Sequence, residues 1–192
     1  SSDVALAAQG KHADFDLSHL EPWDGLIHKF HRVRDLASKD GRSVKPAVRF
    51  NIIARKTEKE AWDLIHHAFS QIDWDEREEK AAARGQGDRP ARGDGVGSWQ
   101  IPVTRKTRVE DLVKEGLWGG FGAIGSQGSP LGFVGSYDDA AAYIDKYIDA
   151  GVRGFILSST PALEEAFQVG EEVLPRVKGR FIDGKKNQSA AR

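Results

Sequence analysis

The chain has 192 residues, 39% of them hydrophobic and 30% charged, which is enough material for one domain with a real core. Twenty-eight Lys and Arg against 29 Asp and Glu leave a formal charge of -1, so no global field draws the chain to nucleic acid or an anionic membrane, and both are excluded as expected partners. With no cysteine there is no disulfide framework, thiolate metal site or cysteine nucleophile, and the cytoplasm is the expected compartment.

In chain order, Val4 to Lys11 predicts a short helix, and Ala13 to His19 alternates apolar and polar residues like a strand with two different faces. Pro22 stands near the start of a helix in which Leu26, Ile27, Phe30 and Val33 recur at helical spacing, and Gly41 is placed as its stop. From Ala47 to Ala54 a second strand puts Val48, Phe50 and Ile52 on one face and Arg49 and Asn51 on the other. Thr57 and Glu60 form a capping box before a helix striped by Ala61, Leu64, Ile65, Ala68 and Phe69. Between Asp75 and Thr107 the periodicity gives way to charge, Gly and Arg, which predicts a long mobile loop.

A Gly-rich passage runs from Gly116 to Gly135, after which Ser136 and Asp139 cap a helix with Ala140, Ile144, Tyr147 and Ile148 inward and Gly151 at its end. Val152 to Leu157 reads as a buried strand, and Thr160-Pro161, as cap and first-turn proline, opens a last helix carrying Leu163, Ala166, Phe167 and Leu174. The tail after Arg180 is polar. Strand-then-helix units of this kind argue for an α/β protein with a parallel sheet. Three strands are convincing, whereas a closed eight-stranded barrel typically takes about 250 residues, so the expectation is part of such a barrel.

Several short motifs point elsewhere. Gly120 to Gly125 satisfies G-x-G-x-x-G, but no strong strand precedes it and no helix follows at once. The pairs His28 and His31, and His66 and His67, lack a complete metal-ligand set, so no metal is expected. Arg92-Gly93-Asp94 and the sequon at Asn187 presuppose an extracellular setting for which nothing argues. A nucleic-acid role for the Arg/Gly loop is opposed by Asp75, Glu76, Glu78 and Glu79 beside it.

Four segments carry a resemblance: Leu6-Ala7-Ala8 with His12-Ala13-Asp14; Val48-Arg49-Phe50 through Glu60-Ala61-Trp62; Leu117-Trp118 through Gly135; and Phe155 through Phe167. In order and spacing they resemble the flavin-dependent monooxygenases of the bacterial-luciferase superfamily, nearest the alkanesulfonate monooxygenases. The resemblance implies a (β/α)8 TIM barrel of which residues 1–181 form the C-terminal portion, with 75–107 as an insertion loop and 182–192 as a tail. On that alignment Ser1 falls just after the family's fifth strand.

The implied cofactor is reduced FMN, delivered by a separate NAD(P)H-dependent flavin reductase; the implied co-substrates are oxygen and a small organic molecule, and the implied state is a homo-oligomer. Ser1 and Ser2 match the family's phosphate-binding loop, where hydroxyls and N–H groups at a helix start favour an anion; on the residues alone Ser1-Ser2-Asp3 reads first as a helix cap. Arg49 matches a family arginine at the active-site mouth, where a fixed cation suits a sulfonate or another anion. Asn51 stands where the sulfonate enzymes have histidine, His19 where they have tryptophan, and Thr160 where they have a tyrosine near the flavin. Gly122 to Gly128 lacks their arginine. These departures alter the pocket more than the cofactor's chemistry. The 75–107 loop, with Arg84, Arg89 and Arg92, is the lid candidate, the alternative being a solvated insertion with no catalytic role. The rival readings are a deazaflavin-dependent hydride-transfer enzyme of the same superfamily and a non-catalytic half-barrel module whose open edges need a partner.

Overall fold

The computed structural model describes residues 3–83, 103–125 and 131–179 and the backbone of 181–182 and 185–186. Helix α1 (Asp3–His12) leads into strand β1 (Phe15–His19), helix α2 (Trp23–Lys39), strand β2 (Lys45–Arg55) and helix α3 (Glu58–Ser70). Helix α4 (Trp74–Ala83) follows, then a single 3-10 turn at Glu110–Leu112 and the short strands β3 (Val113–Lys114) and β4 (Leu117–Trp118). Strand β5 (Gly132–Ser136), helix α5 (Tyr137–Asp149), strand β6 (Gly154–Ser158) and helix α6 (Ala162–Gln168) complete the α/β part. Beyond α6, Val169–Val173 form a π-helical turn and Leu174–Arg176 a 3-10 turn, and β7 (Phe181–Ile182) pairs with β8 (Lys185–Lys186).

Strand β2 organises the sheet. It pairs in parallel with β1 over Lys45 to Arg49, with β5 over Asn51 to Arg55, and with β6 over Ala47 to Asn51. Successive backbone groups of a strand point to opposite edges. The Lys45 N–H donates to Asp14 O, Arg49 O accepts from the Leu20 N–H, and the Asn51 N–H donates to Leu131 O. Odd-numbered residues of β2 thus face β1 and then β5 along one edge, whereas Pro46 O accepts from the Arg153 N–H of the β6 segment on the other edge. The spatial order is therefore β1, β2, β6, with β5 continuing the β1 edge and leading to β4 and β3.

Helices cover one face. Val48, Phe50, Ile52 and Ala54 of β2 are buried with Leu26 and Phe30 of α2 and Ala140, Ile144 and Tyr147 of α5. Trp23 meets Tyr147 edge to face at 5.0 Å, with the Lys146 ammonium 3.9 Å from the Trp23 ring centroid. Higher up β2, Ile53 and Val134 are covered on the opposite face by Ala61, Ile65 and Phe69 of α3 together with Trp118 and Phe121. Helix α1 packs on α2 so closely that a Cβ at Gly10 would lie 2.9 Å from that of Leu36.

The helix-start expectations at Thr57 and Ser136 hold. The Glu60 N–H donates to Thr57 Oγ1 (3.2 Å), the Thr57 N–H donates to Glu60 Oε2 (2.9 Å), and the Asp139 N–H donates to Ser136 Oγ (3.1 Å). Gly41 and Gly151 both follow their helices with positive φ, as a glycine stop requires.

Five expectations need correction. The first part of the 75–107 loop is helix α4, because the Asp73 carboxylate caps the Glu76 N–H, Lys80 pairs with Glu76 one turn away, and Trp74 packs on Phe69; Arg84, Arg89 and Arg92 lie outside the described residues. Strand β5 was hidden by its glycines: a Cβ on Gly132 would sit 2.4 Å from Asn51 O, so close backbone approach and not strand propensity set that residue. The strand expected over Val152 to Leu157 is β6, and it is not buried on both faces, since Ile156 is exposed. Thr160 does not cap α6, whose N-cap is Pro161 with no side-chain bond. On α6 and the turn beyond it, Leu163, Phe167 and Leu174 face solvent while Glu165, Val169 and Val173 are buried, because an ion pair anchors the opposite side of the helix.

Candidate functional site

The register places three of the sequence-derived candidates together. His19 ends β1 directly beside Arg49 of β2, and Asn51 lies two residues further along the same face. Ser158, the last residue of β6, is the neighbour of Asn51, and its hydroxyl donates to Asn51 Oδ1 at 3.2 Å. His19, Arg49, Asn51 and Ser158 thus line the C-terminal ends of three adjacent parallel strands, on the face away from the helix layer. Thr160 follows β6 and its methyl would be 3.7 Å from a Cβ on Gly125, which brings the 120–125 turn to the same end. Ser1 and Ser2 lie outside the described residues.

The electrostatics are those of a cationic, donor-rich patch. Burial first, then the nearby Arg49 and Lys29 charges, hold the His19 imidazole below its ordinary value of 6.5, while Glu21 opposes them. His19 is therefore neutral near pH 7. Its Nδ1 is buried and has no hydrogen-bond partner among the described residues. Beneath this patch the same face carries Phe15, Leu17 and Ile156, each nearly half exposed.

Above the patch an ion pair fixes the strand end to the last helix. Arg55, at the end of β2, donates through Nη1 to Glu165 Oε2 at 3.0 Å and through Nη2 to Oε1, and Glu165 is only 2% exposed. The same guanidinium donates to Ala54 O at 2.7 Å. The hydrogen bond to Glu165 is the chief cause of the raised Arg55 pKa. This pair ties the end of β2 to α6, and its work is positional.

A buried polar pair lies on the other face of β1. Asp16 and Ser18 are buried on the helix side, and neither carboxylate oxygen nor the Ser18 hydroxyl has a partner among the described residues. Burial raises the Asp16 pKa, with Lys29 opposing.

Sequence reasoning missed Ser158 and the inward Phe15, Leu17 and Ile156. A parallel register between β2 and β6 was the signal needed to find Ser158, and periodicity alone does not supply it. The G-x-G-x-x-G stretch is a turn with Phe121 buried; a Cβ on Gly120 would strike the Trp118 ring, so that glycine serves packing, and Gly125 takes a positive φ. Among the described residues no group of His, Asp or Glu is arranged to hold a metal. His66 instead lies 3.5 Å from Glu110 on the surface. No helix among the described residues is long and apolar enough to cross a membrane.

The family described as luciferase-like monooxygenase matches residues 1–154. Among solved structures, a long-chain alkane monooxygenase aligns at a TM-score of 0.59 with 20% identity, covering 92% of this chain and 39% of its own. The EDTA monooxygenase of Chelativorans sp. BNC1 aligns at 0.58 with 18% identity, covering 98% of this chain and 47% of its own. A riboflavin lyase, solved with modified FMN and riboflavin as substrate, aligns at 0.55 with 15% identity, covering 91% and 40%. At such identities the likeness shows the fold, a mixed α/β arrangement around a curled partial-barrel sheet. The chain spans less than half the length of each of these structures.

Proposed function

We propose that this chain, which belongs to the luciferase-like monooxygenase family, supplies one side of the active-site mouth of a (β/α)8-barrel, two-component flavin monooxygenase. The observation that carries the reading is the grouping of His19, Arg49, Asn51 and Ser158 at the C-terminal ends of adjacent parallel strands, where barrel enzymes place their chemistry. Reduced FMN, when bound, supplies the activation of oxygen. The residues present suit such a group: the buried His19 Nδ1 and the neighbouring Arg49 guanidinium would hold an anionic or acceptor-bearing part of it, while Ile156 and Leu17 would offer apolar area below.

Arg49 holds negative charge at the mouth through hydrogen bonds strengthened by partial burial. His19, kept neutral beside it, orients a polar group without adding a second charge. Ser158 fixes the Asn51 carboxamide by donating to its oxygen, which directs the amide N–H groups as donors. Thr160, and Ser1 and Ser2 through the phosphate, complete the cofactor contacts in this reading. The substrate class it favours is a small organosulfur compound such as a sulfonate, supported by the four segments that resemble the sulfonate enzymes and by the cation at Arg49. A separate flavin reductase and a homo-oligomeric enzyme belong to the same reading.

The test is anaerobic titration with reduced FMN, followed by fluorescence and then oxygen uptake, on this chain alone and with the remaining barrel portion of a family member supplied. Binding and oxygen uptake with both portions, weakened about tenfold or more in Arg49→Ala, support the reading. Absence of binding in both settings sinks it, and binding without oxygen uptake points to the hydride-transfer alternative.

A further inference from the structure

Two carboxylates, Asp16 and Glu21, lie around one cation, Lys29. Asp16 and Ser18 hold successive helix-side positions of β1 at 1% and 4% exposure, and neither Asp16 oxygen nor the Ser18 hydroxyl has a partner among the described residues. Lys29 stands on α2 within the stripe of buried Leu26, Phe30 and Val33. Its side chain is 11% exposed and its ammonium donates to Glu21 Oε1 at 3.1 Å, while the Glu21 side chain keeps 19% exposure. The charges acting on Asp16 are Lys29, Glu21 and, most weakly, the terminal amino group; β2 sets only Pro46 beside it. Those acting on His19 are Arg49, Lys29 and Glu21, and Asp16 is not among them. Lys29 and Glu21 are therefore the charges common to both groups.

We propose that Lys29 is a two-position latch between Glu21 and Asp16, through which loss of the Asp16 proton is felt at His19. In the position seen here Lys29 neutralises Glu21, and Asp16 keeps its proton, because a bare carboxylate sealed from water is the costlier charge to leave unpaired. When that proton leaves for solvent, Lys29 turns to the charge it leaves behind, and Glu21, the more exposed carboxylate, is left to water. The move needs only side-chain torsions, since the ammonium sits on a flexible stem. For His19 a cation withdraws and a carboxylate is uncovered, and both changes make the imidazole hold its proton more tightly. The mouth thus gains a second positive charge beside Arg49 more readily once Asp16 is ionised. The bearing on a bound molecule rests on the reading of the mouth given above; the latch itself involves only β1, α2 and the turn between them.

The test contains no flavin. The carboxyl resonances of Asp16 and Glu21 and the imidazole resonances of His19 are followed by NMR as pH is raised through the titration of Asp16. At the pH where Asp16 titrates, Glu21 and His19 should each show a second inflection. Lys29→Met should abolish both, while Asp16 still titrates, at a higher pH. Glu21→Gln keeps Lys29 on Asp16 throughout and should likewise remove the inflection at His19; it serves as the test if circular dichroism shows that Lys29→Met does not fold. Titration of Asp16 with no inflection at Glu21 and His19 overturns the latch. An inflection at His19 that persists in either variant overturns it as well, since the influence of Asp16 then reaches His19 by another route. Failure of reduced FMN to bind in the earlier titration sinks the flavin reading and leaves these outcomes unchanged.

Discussion

At the scale of single residues, the two titratable groups of β1, Asp16 and His19, make opposite demands on pH. The folded-state pKa of His19 lies below its ordinary 6.5, so the unfolded chain takes up protons more readily, and stability is full above 6.5 and falls as pH drops toward the folded value. The imidazole resonances of His19 should therefore titrate below 6.5 in NMR, and move upward in Arg49→Met, which removes the second cause of the shift and leaves burial. Asp16 has the reverse sign. Its pKa is raised by burial, so its contribution is intact below 3.8 and is lost as pH rises through the folded value. Asp16→Asn should raise stability against urea at pH 7 by about 1 kcal/mol, with the gain vanishing near pH 3. A gain that persists unchanged at pH 3 shows that the charge on Asp16 is not its source.

Between elements, the Arg55 to Glu165 pair joins the end of β2 to α6, 110 residues apart in sequence. Breaking one side strands a carboxylate that is 2% exposed. Arg55→Met should cost about 3 kcal/mol or more in chemical unfolding, and Arg55→Met with Glu165→Leu should recover most of that loss. If the double variant is as unstable as the single one, packing and not the uncompensated charge explains the effect. The elements themselves were legible where local chemistry defines them. The capping box at Thr57, the Ser136 cap, and the glycine stops at Gly41 and Gly151 act within four residues and need no tertiary context. Helix α4 was missed because its stripe is thin and its cap, Asp73, lies just before the charged stretch. The exposed apolar residues of α6 were misassigned because a buried ion pair holds the helix from its polar side.

At the scale of the whole molecule, the sheet is covered on one face by helices, and over β1, β2 and β6 its other face is open. The apolar residues there contribute little to the stability of this chain on its own, so Leu17→Asp and Ile156→Asp should each leave the unfolding midpoint within about 0.5 kcal/mol of the unsubstituted protein. A larger loss would place these side chains in the core. The candidate site sits at the boundary of this face, which is why its residues come from different strands, Asn51 and Ser158 being 107 positions apart in sequence and yet hydrogen-bonded.

The sequence by itself determined the strand-helix alternation, the helix ends and the inward arginine on β2, because periodicity and capping are local. It also showed that β1 has two unlike faces. Tertiary structure alone decided which face of β1 is buried, Asp16 and Ser18 and not Phe15 and Leu17, since alternation marks two sides but not which one a helix covers. It also decided that Ser158 meets Asn51, because register between strands depends on backbone pairing across the sheet, to which neighbouring residues in sequence carry no reference.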